Sequence, residues 1–174
     1  MPRTPRFRRS LRIACALALL APAAAEARPD QVTLFEAPRE LLSGDAALRA
    51  ETLDEIRGFG VSSLRIILYW RDVAPDADRP GFPRHDETDP ASYDWSRYDA
   101  VLAEARERGF QVLLTVSGPV PRWATRDRAD QRTRPSAVRF GRFMEAVGRK
   151  YGDVIDHWSI WNEPNHPAFL LPQW

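Results

Sequence analysis

The stretch Trp158-Ser159-Ile160-Trp161-Asn162-Glu163-Pro164-Asn165 decides how the rest of the chain is read. An aromatic and aliphatic run ends in a polar Asn-Glu pair, and the proline that follows cannot donate to a sheet ladder. The run therefore reads as a buried strand that stops at the pair, which carries the carboxylate of Glu163 to the rim of a sheet.

Working outward, the segment before this strand has the signature of a helix. Pro135 suits a first helical turn, Phe140, Phe143, Val147 and Tyr151 recur at helical spacing, and Gly152 closes the element before a strand over 154–161. The same order appears twice more upstream. Tyr98, Val101, Leu102 and Ala105 mark one helical face, with Asp94 or Ser96 as cap and Gly109 as stop, before a strand over 111–116. A helix over 46–57, with Leu48, Thr52, Leu53 and Ile56 inward, stops at Gly58-Phe59-Gly60 and leads into a strand over 63–69. A weaker strand signal covers 31–35.

Strands alternating with helices predict parallel pairing through right-handed crossovers, with the helices outside. Alternation along 63–69 puts Leu64, Ile66 and Leu68 on the helix-covered face and Ser63, Arg65, Ile67 and Tyr69 on the other. An arginine on an inward face needs a partner or solvent, and a barrel interior opening into an acidic cleft supplies both. Long Pro-, Asp- and Arg-rich connections, 73–93 and 118–134, follow the C-terminal ends of strands, the face on which barrel and open α/β enzymes carry their sites.

The chain has 174 residues, 44% hydrophobic and 28% charged, which places it among globular proteins. Its N-terminus is read separately. Arg3, Arg6, Arg8, Arg9 and Arg12 precede a small apolar run that ends near Ala25-Glu26-Ala27, the pattern of an export signal over residues 1–27. The run falls short of the about 20 apolar residues a membrane span needs. The sequence thus predicts a secreted or periplasmic protein with no membrane attachment once the signal is cleaved. Without the signal, 20 basic residues face 23 acidic ones, a balance that argues against nucleic acid as a partner. The single cysteine, Cys15, leaves with the signal, so neither a disulfide nor a thiolate metal site is expected. His85, Asp86, Glu87 and Asp89 are read as a solvated polar loop rather than a metal cluster, and no metal or other cofactor is expected. Oligomeric state is not legible in the sequence.

Four groups of residues resemble the N-terminal half of clan A glycoside hydrolases, the retaining (β/α)8-barrel enzymes that include families 5 and 39. They are Leu64-Arg65-Ile66 with Tyr69-Trp70 and Val73-Ala74-Pro75; Tyr93-Asp94-Trp95-Ser96-Arg97-Tyr98-Asp99; Leu113-Leu114-Thr115-Val116 leading to Pro121-Arg122-Trp123-Ala124; and Trp161-Asn162-Glu163-Pro164-Asn165. The resemblance implies an α/β fold of (β/α)8 TIM-barrel type, truncated to about four βα units over residues 28–174, and a carbohydrate substrate. It implies that Glu163, ending the fourth strand, is the general acid/base, because cleavage of a glycosidic bond needs a proton on a poor leaving-group oxygen and then a base toward water. It implies that Asn162 bonds the sugar 2-hydroxyl and that Arg65 supports the nucleophile. Trp123 and Tyr69 are candidates for stacking on sugar faces, and His166 for reaching a hydroxyl.

In the clan the nucleophile lies on the seventh strand, so the resemblance assigns it to no residue here. Four units cannot close an eight-stranded barrel. This half alone is expected to be inactive and, with two open sheet edges, poorly stable. The expectation is a hydrolase acting on O-glycosidic bonds of a poly- or oligosaccharide with retention; the alternative is a non-catalytic carbohydrate-binding protein on a degenerate barrel.

Overall fold

Leu64, Ile66 and Leu68 on one strand and Val112, Leu114 and Val116 on the next are all buried, and this shared apolar face fixes where the helices lie. The computed structural model describes residues 31–173. The expected export signal lies outside them. From Val32 onward the chain is one compact unit. Its elements are β1 (Leu34–Phe35), α1 (Ala46–Gly58), β2 (Ser63–Tyr69), α2 (Ser96–Glu107), β3 (Gln111–Ser117), α3 (Ala137–Tyr151) and β4 (His157–Ile160), with short helical turns between. The strands form one parallel sheet in the order β1-β2-β3-β4. Among the described residues no helix is long and apolar enough to cross a membrane.

Each helix lays its apolar stripe on the same side of the sheet. Tyr98, Val101, Leu102 and Ala105 of α2 are all buried, as their spacing predicts. In α3 the predicted Phe143, Val147 and Tyr151 are buried and Phe140 packs at the margin. This helix starts at Ala137 rather than at Pro135, because the Ser136 hydroxyl accepts the Arg139 amide and acts as its cap. Gly152 ends it in a right-handed conformation. Glycine is needed there for space, since a Cβ would stand 2.6 Å from the Gly148 carbonyl oxygen.

In α1, Leu53 and Ile56 are buried as expected, but Leu48 is exposed and Arg49 takes the inward place. The reason lies on α2: Arg49 Nε and Nη2 both donate to Glu104 Oε1, at 2.8 and 2.6 Å. A forked ion pair between neighbouring helices thus displaces a leucine from the interface.

Two strands are shorter than predicted. β1 is reduced to two residues, and β4 covers four of the eight expected. Nor is β4 buried: Trp158, Ile160 and His157 are all exposed, because β4 is an edge strand whose outer faces no described element covers.

The connections after β2 and β3 are bound down by an aromatic cluster. Trp70 stacks on Phe143 at 5.0 Å and meets Trp123 edge-on at 5.5 Å. The acidic loop expected to be solvated is instead anchored. Glu87 is 4% exposed and accepts Arg139 Nη1 at 2.9 Å and Arg142 Nη1 at 3.0 Å from α3. Asp86 and Asp89 accept the amides of Thr88 and Ala91, and the bond from Thr88 holds the Asp86 carboxyl below its ordinary range. Glu87→Ala is expected to cost about 1–3 kcal/mol, since both guanidinium groups lose their acceptor but remain partly solvated. Thermal unfolding of the variant against the parent measures it.

Candidate functional site

The inward face of the sheet carries Arg65, Ile67 and Tyr69 on β2 and Leu113, Thr115 and Ser117 on β3, paired as Arg65 with Leu113, Ile67 with Thr115 and Tyr69 with Ser117. Arg65, placed inward by alternation, binds to three other strands or strand ends. Its Nε donates to Thr115 Oγ1 at 3.0 Å, Nη1 to Glu36 Oε2 at 2.9 Å and Nη2 to Asn162 Oδ1 at 2.8 Å. A planar guanidinium suits this task, because its donors leave in fixed, diverging directions.

The C-terminal end of β4 is shaped by its backbone. The Trp161 amide still donates to Val116 at 2.8 Å, continuing the ladder, but its φ is +66°. The Asn162 amide donates to Ser117 Oγ at 2.9 Å, and Glu163 returns to positive φ, +43°. Two left-handed non-glycine residues within three positions cost of order 1 kcal/mol or more each and persist only where neighbours over-determine them. The neighbours here are Val116, Ser117 and Arg65, together with the His166 amide on the Glu163 carbonyl at 2.9 Å.

The result is a division between adjacent residues. Asn162 is 8% exposed and held at its amide and its side-chain oxygen. That assignment of the side-chain oxygen points Nδ2, which has no partner among the described residues, away from Arg65 and free to donate. Glu163 is exposed on the rim, with no side-chain hydrogen bond among the described residues. Around the Tyr69 hydroxyl the charges are those of Glu36, Asp72, Arg65 and Glu163; burial first, then the carboxylates, pushes the phenol above its ordinary range.

Trp161 packs edge-on against Phe140 at 5.3 Å, and its ring lies over Gly118, where a Cβ would approach a ring carbon to 2.7 Å. Gly118→Ala therefore displaces the indole beside Asn162. A loss of about 1–3 kcal/mol is expected, the usual scale for an overpacked contact. It is read by denaturant unfolding, with an altered tryptophan emission spectrum as the local signal.

The structure thus brings together Arg65, Asn162, Glu163 and Tyr69, the last stacked at 6.5 Å on Phe169 from the loop after β4. It does not bring Trp123 into the cleft. That ring is 1% exposed, its Nε1 donates to Pro75 at 3.0 Å, and Phe82 and His85 cover it, so no face is left for a sugar. His166 is an exposed loop residue whose Nδ1 accepts the Ala168 amide at 3.1 Å, packed beside Phe169. Among the described residues, no three His, Cys, Asp or Glu side chains are grouped to hold a metal ion. Three members of the cluster are given no site role by the sequence: Glu36, Ser117 and Thr115, the last present only as part of a quoted motif. The alternation that found Arg65 also points to Thr115 and Ser117. Glu36 follows a two-residue strand whose signal is too short for such an argument.

No family model matches the chain. It is 29% identical over 133 residues to the aryl-phospho-β-D-glucosidase BglA of Bacillus subtilis (strain 168), a match covering 72% of this chain and 25% of that protein. It is also 29% identical over 120 residues to the thermostable β-glucosidase B of Thermobispora bispora, covering 67% of this chain and 24% of the relative. The chain spans about a quarter of the length of these curated relatives. Among solved structures it is similar to a β-glucosidase from Exiguobacterium marinum, with a TM-score of 0.53 and 18% identity over 80% of this chain and 37% of the other. The structural likeness carries the fold: this is an α/β chain of TIM-barrel type, four parallel strands joined by three crossover helices. The two sequence relatives are glucosidases by name, in agreement with the glycosidase resemblance of the four motifs.

Proposed function

We propose that the protein carrying this chain hydrolyses O-glycosidic bonds of an oligo- or polysaccharide by double displacement with retention, and that Glu163 is its general acid/base. The observation that carries this reading is the end of β4. A carboxylate stands free on the rim of the sheet, next to an asparagine clamped by Ser117 and Arg65. Glycosidic cleavage needs both: a movable proton at the leaving oxygen, and a fixed donor to a ring hydroxyl whose bond strengthens as positive charge develops on the sugar.

In this scheme Glu163 protonates the departing oxygen, a second carboxylate takes the anomeric carbon, and Glu163 then removes a proton from the water that releases the sugar. The second carboxylate, about 5–5.5 Å from the acid in a retaining enzyme, is assigned to no residue of this chain. Asn162 binds the 2-hydroxyl through Nδ2, Arg65 fixes Asn162, and Tyr69 borders the sugar. Export through residues 1–27 would bring the protein to extracellular or periplasmic glycans.

The test is stereochemical. Proton NMR of the first product formed from an aryl β-glycoside is expected to record the β-anomer before mutarotation. An α-anomer as first product would replace double displacement by single displacement.

A further inference from the structure

The Arg65 cluster contains a carboxylate to which the catalytic scheme gives no task. Glu36 follows β1 on the inward side, its Oε2 bound by Arg65 Nη1. Its side chain is 33% exposed, and among the described residues its other oxygen has no partner. The same guanidinium holds Asn162, so Glu36 Oε2 and Asn162 Oδ1 are bound to its two terminal nitrogens. Free acceptor capacity on Glu36, a free donor pair on the nine-tenths-buried Asn162 and the Tyr69 hydroxyl are thus gathered around one guanidinium.

Charge argues further. The groups acting on Tyr69 are three carboxylates and one guanidinium, Arg65: Glu36 is paired with Arg65, Asp72 is paired with Arg97 at 3.0 Å, and Glu163 has no ion pair among the described residues. That guanidinium already donates to Glu36, Thr115 and Asn162, and has little left to offer an incoming anion. Neutral hydroxyls are good donors to a carboxylate already oriented by an arginine, whereas a phosphate or carboxylate on the sugar would meet like charge in a partly desolvated cleft.

We propose that Glu36 is a substrate-contacting residue that accepts hydrogen bonds from ring hydroxyls of an uncharged sugar and turns away sugars bearing an anionic group. This rests on the reading of the site as a sugar site. It separates this chain from a relative such as the aryl-phospho-β-D-glucosidase, whose name specifies a phosphorylated substrate.

The test uses binding, not turnover, in the protein carrying this chain with Glu163→Gln as the background. Dissociation constants for methyl β-D-glucoside, glucose 6-phosphate and glucuronate are measured by titration calorimetry with Glu36 intact and with Glu36→Gln. With Glu36 the neutral sugar is expected to bind at least about 10-fold more tightly than either anion, and Glu36→Gln to shrink that ratio about 10-fold while weakening the neutral sugar. If Glu36 only braces Arg65, all three constants shift together and the ratio stays fixed, which overturns the inference. Tighter binding of an anion in the parent, or no binding of any of the three, overturns it as well. The catalytic reading stands or falls separately, on the leaving-group dependence of Glu163→Gln.

Discussion

Replacing Glu163 by Gln is expected to lower kcat/KM about 10²–10⁴-fold for a glycoside with an alkyl leaving group, and far less for a dinitrophenyl glycoside. The amide keeps the size and polarity of the side chain but has no proton to give. An alkoxide leaving group needs that proton in the transition state; a dinitrophenolate leaves without it. Hydrolysis of the activated substrate then stalls at the second step, where the base is missing, and an added small anion such as azide should restore turnover by attacking the anomeric carbon in place of water. Because Glu163 is exposed and has no side-chain hydrogen bond among the described residues, the substitution should leave thermal unfolding unchanged within about 0.5 kcal/mol, the usual scale at a surface position. Equal losses on both substrates would remove Glu163 from the acid/base role.

Arg65→Met is expected to be about as damaging to turnover, about 10²-fold or more in kcat/KM, and to cost stability as well. The guanidinium donates to Glu36, Thr115 and Asn162 at 2.8–3.0 Å. Without it Glu36 keeps its charge with no counter-ion among the described residues, the Asn162 amide loses the bond that fixes which end faces Arg65, and Thr115, fully buried, loses a partner. A charge-assisted bond contributes about 1.5–3 kcal/mol, and about 1.4 kcal/mol of lost transition-state stabilisation is tenfold in rate. Arg65→Lys separates shape from charge. A point charge cannot reach three diverging acceptors, so lysine should restore stability better than activity. Parallel denaturant and kinetic measurements on the two variants read the difference; wild-type kcat/KM in Arg65→Met would detach Arg65 from the site.

The helices and strands were legible where the pattern was repeated and local. The bounds of β2 were read as they stand, and all four predicted inward residues of α2 are buried, because four apolar positions at helical spacing leave one solution. Leu48 failed for a non-local reason: Arg49 has a partner on another helix, and no count of apolar residues along α1 contains Glu104. Trp123 failed in the same way, since Phe82 and His85, which cover it, come from a loop some forty positions earlier. The site was legible as far as strand ends go. Glu163 follows β4 and Arg65 faces inward on β2, and both are where the sequence put them. What no spacing rule contains is the pair of left-handed residues at 161 and 163, by which one neighbour is buried and the next is sent to solvent.

The reach of Arg65 has a consequence for how the molecule reports damage. One side chain on β2 touches the third strand and the residues that follow the first and fourth, so its bond lengths gauge how tightly the sheet is rolled. A substitution in the helix-packed layer that flattens the roll by a few degrees leaves every site residue present yet draws Asn162 and Glu36 away from their common donor. Core variants with modest unfolding penalties should therefore lose activity out of proportion to stability, and an ideally packed redesign of the helical layer would have to preserve the sheet's curvature before any side chain in the cleft.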